Sequence, residues 1–222
     1  ARRNLLAEGL HPRRIIVTGS PMTEVLEQHA EAIAASSALA DMGVEAGEYF
    51  LVSAHREENV DSPDRLRALL ECLNAVAGEW GLPVLVSTHP RTRKRLENVP
   101  DVSVSELVRF HEPFGFLDYN RLQMDARCVL SDSGTIAEES TILGFPAVTL
   151  RSSIERPEAL DTGAITMTDL EPEAVVRGIR FAMSRSEAAE RPADYQITNT
   201  SERIVNFILS TAFQHDFWSG LR

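Results

Sequence analysis

Short apolar runs alternate along this chain with stretches whose apolar residues recur every three or four positions. From Tyr49 onward the alternation is regular. Tyr49–Ser53, Pro83–Ser87 and Val102–Val104 read as strands, and Pro63–Val76, Thr92–Glu97 and Leu117–Met124 read as helices. A central strand at Cys128-Val129-Leu130 is followed by a polar turn, Ser131-Asp132-Ser133-Gly134, and then by helical spacing through Ile136, Ile142 and Leu143. Another strand, a last short one at Ala164–Met167 and a helix over Pro172–Ser184 continue the series. Short strands separated by helical segments of this length predict parallel βαβ units, an α/β fold with a Rossmann-like sheet covered by helices on both faces.

The ends of the chain depart from this rhythm. A short helix over residues 4–10, a strand at Ile15–Thr18 and a helix from Met22 to Leu39 precede Asp41–Glu48, a small, polar, glycine-containing connection expected to separate domains. Ser184–Tyr195 reads as a surface connection, and a final helix over Asn199–Phe213 carries Ile204, Phe207 and Ile208 on a stripe that needs a covering surface. The expected division is 1–40, a linker at 41–48, a nucleotide-binding domain at 49–190, and a carboxyl-terminal helix and tail at 191–222.

In open parallel sheets ligands bind outside the carboxyl ends of the strands, so the polar turns SAHREEN, STHPR, SDSGT and RSSIERPE fall on one rim. The helix starting after Ser131–Gly134 presents free backbone N–H groups and a positive dipole end to that rim, an arrangement suited to phosphate. Thr135 and Glu139 share a helix face one turn apart, where a carboxylate could accept both hydroxyls of a ribose; Glu139 also fits an acid that simply favours the dipole. Thr135 to Glu138 has the form of a capping box, and Asp132 that of a turn residue bonded to its own backbone. Arg156 would bring a bidentate donor to the same edge. His55 sits where a reacting or phosphorylated group would be, as a proton relay or a stabiliser of a departing oxygen. His89 is a weaker candidate for ligand contact, and Arg93, Lys94 and Arg95 fit a solvated helix face as well as an anion site. Of Phe114, Phe116 and Tyr119, one could stack on a base, although core packing is the default for such spacing.

Composition narrows the partners. A net charge of -11 argues against nucleic acid or an anionic membrane as the main partner, and no apolar stretch reaches membrane-spanning length. Cys72 and Cys128 lack metal-ligand spacing and suit a reducing cytoplasm, and no GxGxxG or phosphate-binding P-loop occurs, so no cofactor or metal is expected.

Taken together, TGSPMTEVL (Thr18–Leu26), VSAHREEN (Val52–Asn59), STHPR (Ser87–Arg91), SDSGTIAEES (Ser131–Ser140) and ERPEA (Glu155–Ala159) resemble the non-hydrolysing UDP-N-acetylglucosamine 2-epimerase family. The motifs follow the family order and cover most of the chain up to about Met167. SPMTEVL, AHREENVD and EPFGFLDYN look most like the capsule and O-antigen branch, which includes epimerases forming UDP-N-acetyl-L-fucosamine. The resemblance implies the carboxyl-terminal half of a two-domain glycosyltransferase-B-like fold, a UDP-N-acetyl-hexosamine substrate and a homodimer. It further implies that Ser133, Gly134 and Thr135 hold the diphosphate, Glu139 the ribose and Arg156 a phosphate. Tyr119 would lie against uracil, the Phe114 backbone at the base edge, and His55 at the diphosphate, assisting departure of UDP. Thr135 replaces a second glycine often found there and narrows the site. Family members are longer, with C2 acid and base groups in an amino-terminal domain, so the chain is expected to be a carboxyl-terminal fragment. A UDP-sugar glycosyltransferase or a non-catalytic nucleotide-binding module would use the same rim.

Overall fold

The structure, a computed structural model, describes residues 2–88, 90–96, 99, 102–153, 158–185 and 190–221. Two compact units emerge, one made of residues 29–191 and a smaller one of residues 1–28 with 192–222. The segment 41–48 therefore lies inside the larger unit.

The larger unit is built on six parallel strands: β1 (Phe50–Ser53), β2 (Val84–Ser87), β3 (Val108–His111), β4 (Cys128–Ser131), β5 (Ala147–Leu150) and β6 (Thr166–Thr168). Their order across the sheet is β3-β2-β1-β4-β5-β6, with Phe50 level with both Val84 and Cys128. Because strand side chains alternate between faces, a sheet covered on both sides needs continuous apolar runs. Phe50 and Val52 accordingly join one core with Leu66, Leu70, Leu73, Val76, Val175 and Ile179, from helices Pro63–Trp80 and Pro172–Met183. Tyr49 and Leu51 join the opposite core with Leu122, Ile136 and Phe145. The Tyr49 hydroxyl, deep in that second layer, donates to the Leu122 carbonyl at 2.6 Å, as a buried phenol must find an acceptor.

Helix Pro63–Trp80 starts where the Ser62 hydroxyl accepts from the Arg65 N–H, and runs past Val76 until Gly81, at φ +63°, turns the chain out of it. Two other expectations are corrected. Val102–Val104 is not a strand; Val102 and Val104 pack as partly buried side chains against the first core, and the ladder with β2 is made by Val108–His111 instead. The helix expected over Met22–Leu39 is three helices, Pro21–Gln28, Ala30–Ala34 and Ala38–Met42, with breaks at His29 and at Ser36-Ser37. Ser36 and Ser37 turn their hydroxyls to Asp118 and Asp41, bonds that compete with a continuous helix.

In the smaller unit, Ile15–Thr18 is extended but is not a strand, because it has no ladder partner among the described residues; Ile16 and Val17 are exposed. Side chains satisfy its carbonyls instead, the Arg2 guanidinium at Ile15 and the Thr200 hydroxyl at Thr18. Gly19 follows at φ +83°, where an added Cβ would lie 2.6 Å from the Ile197 Cβ, so both backbone conformation and space require glycine. Thr23, fully buried, donates to the Tyr195 carbonyl, and the Glu24 carboxylate accepts from both the N–H and the hydroxyl of Ser201, which lowers its pKa. The last long helix, Thr200–Thr211, leaves Ile204, Val205, Ile208 and Leu209 exposed.

Candidate functional site

Strand order reverses direction at β1, whose neighbours β2 and β4 are reached by connections on opposite faces, and such a switch point opens a crevice at the carboxyl ends of β1 and β4. The segments leaving those ends are Ala54-His55-Arg56 and Asp132-Ser133-Gly134-Thr135. The sheet therefore brings His55 and the diphosphate candidates to the two lips of one crevice, although 77 residues separate His55 from Asp132.

Asp132 is the pivot. It is fully buried, and its N–H donates to the Ser53 carbonyl at 3.1 Å, which ties the end of β4 to the end of β1. Its carboxylate accepts from the N–H of His55 at 3.0 and 3.1 Å, from the N–H of Arg56 at 3.0 Å and from Asn59 Nδ2 at 3.0 Å. The expectation that Asp132 bonds its own turn is thus corrected: it folds the opposite loop around itself. His55 Nδ1 lies 3.6 Å from Asp132 Oδ1 and 3.4 Å from Ser53 Oγ, and the ring is half exposed at the crevice.

The turn after β4 is held by serine. Ser131 Oγ accepts from the Ser133 N–H at 3.0 Å, and Ser133 Oγ lies 2.9 Å from Thr135 Oγ1. The capping box is not formed: Thr135 makes no side-chain cap to helix Ile136–Leu143, its hydroxyl being turned toward Ser133. That leaves the amino end of the helix to be satisfied by something other than its own N-cap residue. A Cβ at Gly134 would meet nothing within 4 Å, so there is open space above the turn.

Glu139, one turn into the helix, is nearly buried and accepts from Gln123 Nε2 at 2.7 Å. Tyr119 is partly buried against the second core, and its hydroxyl meets those of Ser53 and Ser131 at the ends of β1 and β4. Burial raises the pKa of its phenol, the Glu139 charge adds to this, and the two serine hydroxyls partly oppose it. Phe114, between β3 and helix Phe116–Asp125, packs partly buried on the second core, with its ring 5.6 Å from that of His111. His111 has its pKa lowered by burial and, secondarily, by Arg109. The rim thus gathers His55, Ser133, Gly134, Thr135, Glu139 and Tyr119 around β1 and β4, with Phe114 beyond β2. Arg156 and His89 lie outside the described residues. Among the described residues no cluster of His, Cys, Asp and Glu could hold a metal ion, and no helix is long and apolar enough to cross a membrane.

Three participants escaped sequence reasoning. Asn59 and Gln123 are fully buried amides serving Asp132 and Glu139, and Arg151, directly after β5, is a buried cation at the same rim. A polar side chain at helical or strand-end spacing was the only signal, and it does not reveal the partner.

The profile of the family described as UDP-N-acetylglucosamine 2-epimerase matches residues 1–209. The chain belongs to this family. A UDP-N-acetylglucosamine 2-epimerase of Methanocaldococcus jannaschii is 31% identical over 214 residues, covering 94% of this chain and 58% of the relative. Among solved structures, the UDP-N-acetylglucosamine 2-epimerase of Rickettsia bellii superimposes with a TM-score of 0.85 at 34% identity, over 97% of this chain and 58% of that one. The M. jannaschii epimerase in complex with UDP-GlcNAc and UDP gives 0.85 at 28% identity, over 94% and 58%. The chain thus spans about three fifths of the length of these 2-epimerases and corresponds to their carboxyl-terminal part, one half of a glycosyltransferase-B-like fold.

Proposed function

We propose that the protein of which this chain is a part inverts C2 of a UDP-linked 2-acetamido sugar. The observation that carries the reading is the binding of the His55 loop to Asp132, the residue that leads into the Ser133–Thr135 turn, across the switch-point crevice, in a chain of the 2-epimerase family. UDP lies with its diphosphate at the Ser133-Gly134-Thr135 turn, over the amino end of the helix that follows it, and its ribose hydroxyls on Glu139. Tyr119 and the Phe114 backbone line the nucleoside side, and Arg156 adds a phosphate contact. His55 faces the oxygen that leaves with UDP and stabilises the charge developing there.

The reaction is an elimination followed by an addition. A base takes the C2 proton, the C1–O bond breaks with its electron pair leaving on UDP, and a 2-acetamidoglucal remains. A proton returns to C2 from the opposite face as UDP re-adds at C1. No net oxidation occurs, so the sequence of steps needs no redox cofactor. The glycal and UDP must be held together in a closed cleft, which calls for a companion domain carrying the C2 acid and base. In this reading residues 1 to about 40 finish that domain, the helix within 191–222 returns to it, and the enzyme acts as a cytoplasmic homodimer supplying precursors of capsule or O-antigen polysaccharide.

Turnover of the full-length protein in deuterium oxide tests the reading. Deuterium is expected at C2 of both epimers, with no acceptor needed; epimer formed without label rejects the mechanism. Transfer of the sugar to an acceptor, with UDP released in equal amount, would favour a glycosyltransferase instead.

A further inference from the structure

We propose that Asp132 is a positioning residue that sets both the tautomer and the aim of His55. The proposal rests on the diphosphate reading of the crevice only for its consequence, not for its geometry.

A fully buried carboxylate is costly unless donors surround it, and here they come from a single loop. The N–H groups of His55 and Arg56 and the amide of Asn59 all point at Asp132, so the loop after β1 is wrapped around one anion. The backbone of His55 is fixed by this wrapping. Its ring then places Nδ1 beside Asp132 Oδ1 and Ser53 Oγ. A carboxylate oxygen next to Nδ1 favours a proton on that nitrogen, which leaves Nε2, the nitrogen away from Asp132, as the atom that a second proton occupies when the ring donates to a phosphate oxygen.

The wrapping is itself oriented from further out. An amide can be turned either way unless a partner decides, and Arg65 decides: its guanidinium donates to Asn59 Oδ1 at 2.8 Å. Asn59 Nδ2 must then face Asp132 and the Leu150 carbonyl, 3.2 Å away. Arg65 is in turn held by Asp169 at 2.8 Å, on the segment after β6. A chain of contacts, Asp169 to Arg65 to Asn59 to Asp132, thus runs from the sheet edge to the imidazole. Asp132→Asn keeps the shape but removes the charge, and it sets an NH2 group against donors that have nowhere else to go.

The test is long-range proton–nitrogen correlation on the ligand-free chain with labelled histidine, at a pH where imidazole is neutral. The His55 signals, picked out from those of the six histidines by their loss in His55→Gln, are expected to show the Nδ1–H tautomer. In Asp132→Asn they are expected to move to a tautomer mixture, and UDP affinity to fall about tenfold. Should Asp132→Asn fail to fold, Arg65→Ala, at a side chain 31% exposed, is expected to shift the same signals in the same direction with Asp132 intact. A native His55 that is already a mixture, or is protonated on Nε2, overturns the proposal, as does an unchanged tautomer in whichever of the two variants folds. A shifted tautomer with unchanged UDP affinity supports the positioning and removes the diphosphate reading instead, so the two can fail separately.

Discussion

Gln123 Nε2 donates to Glu139 Oε2 across 2.7 Å, joining helix Phe116–Asp125 to helix Ile136–Leu143 beneath the crevice. One carboxylate oxygen is thereby pinned and the orientation of the carboxylate fixed. Glu139→Ala is expected to weaken UDP binding by about ten- to a hundredfold, the range for hydrogen bonds to a charged group. The loss is expected to be much smaller for 2′-deoxy-UDP. Gln123→Met, which also removes an amide oxygen that has no partner among the described residues, is expected to cost about three- to tenfold in affinity at little cost in stability. Calorimetric titration of the two variants and their combination measures the coupling; strict additivity would mean that the amide does not hold the carboxylate.

The space above Gly134 yields a prediction in which stability and binding part company. An added Cβ there meets no protein atom within 4 Å, and the residue does not need a left-handed backbone. Gly134→Ala is therefore expected to leave the unfolding free energy within about 0.5 kcal/mol of the parent. If that space is where a diphosphate lies, the methyl group occupies it, and UDP affinity is expected to drop about tenfold or more. Denaturant titration and UDP calorimetry on the same preparation check both halves. Unchanged affinity would place the phosphates elsewhere.

Much of this geometry was legible in sequence, for a physical reason that also marks where legibility ends. Strands buried on both faces have nothing but apolar residues to show, so Phe50–Ser53, Val84–Ser87 and Cys128–Ser131 stand out, and the polar turns behind them fall on one rim. Periodicity cannot say which of two short apolar stretches finds a ladder partner. Val102–Val104 and Val108–His111 were equivalent on that measure, and pairing with β2 chose the second. Ile15–Thr18 has the composition of a strand but no neighbour to make it one. His55 and Glu139 stood out as candidates because each lies beside the end of an element. Asp132 was misread because its partners, His55 and Asn59, lie 77 and 73 residues away. A local turn motif is the default for an aspartate after a strand, and only the folded sheet replaces it.

Cys72 and Cys128 are fully buried, and burial pushes both thiols up to about 12 from an ordinary value of 9.0, with the charges of Glu171, Glu71 and Asp169 adding at Cys72. Neither supplies thiolate near neutrality, so a thiol reagent at about pH 8 is expected to modify neither in the folded chain and both once it is denatured. The sign of the pH effect follows. Folding holds these protons more tightly than the unfolded chain does, so the stabilisation is complete below pH 9 and is lost progressively as pH rises from 9 toward 12. Denaturant midpoints measured on either side of pH 9 are expected to fall on the alkaline side. Rapid native-state labelling of either cysteine would contradict the burial.

Two helix glycines are expected to respond to alanine with opposite signs. Gly78 lies in helix Pro63–Trp80, where an added Cβ meets nothing within 4 Å, so Gly78→Ala gains helix propensity without a clash and is expected to stabilise by about 0.5–1 kcal/mol. Gly178 lies in helix Pro172–Met183, against the sheet. A Cβ there would come within 2.8 Å of the Thr168 methyl group and 3.5 Å of that of Thr166, both on β6. The same propensity gain of about 1 kcal/mol is then set against overpacking of about 1–3 kcal/mol, and the second term wins. Gly178→Ala is expected to destabilise by about 1 kcal/mol, and shortening the opposing side chain with Thr168→Ser should return part of the loss. Urea denaturation of the three single variants and of the Gly178→Ala, Thr168→Ser pair decides the matter, because equal effects at Gly78 and Gly178 would mean that β6 does not pack against this helix as closely as the structure has it.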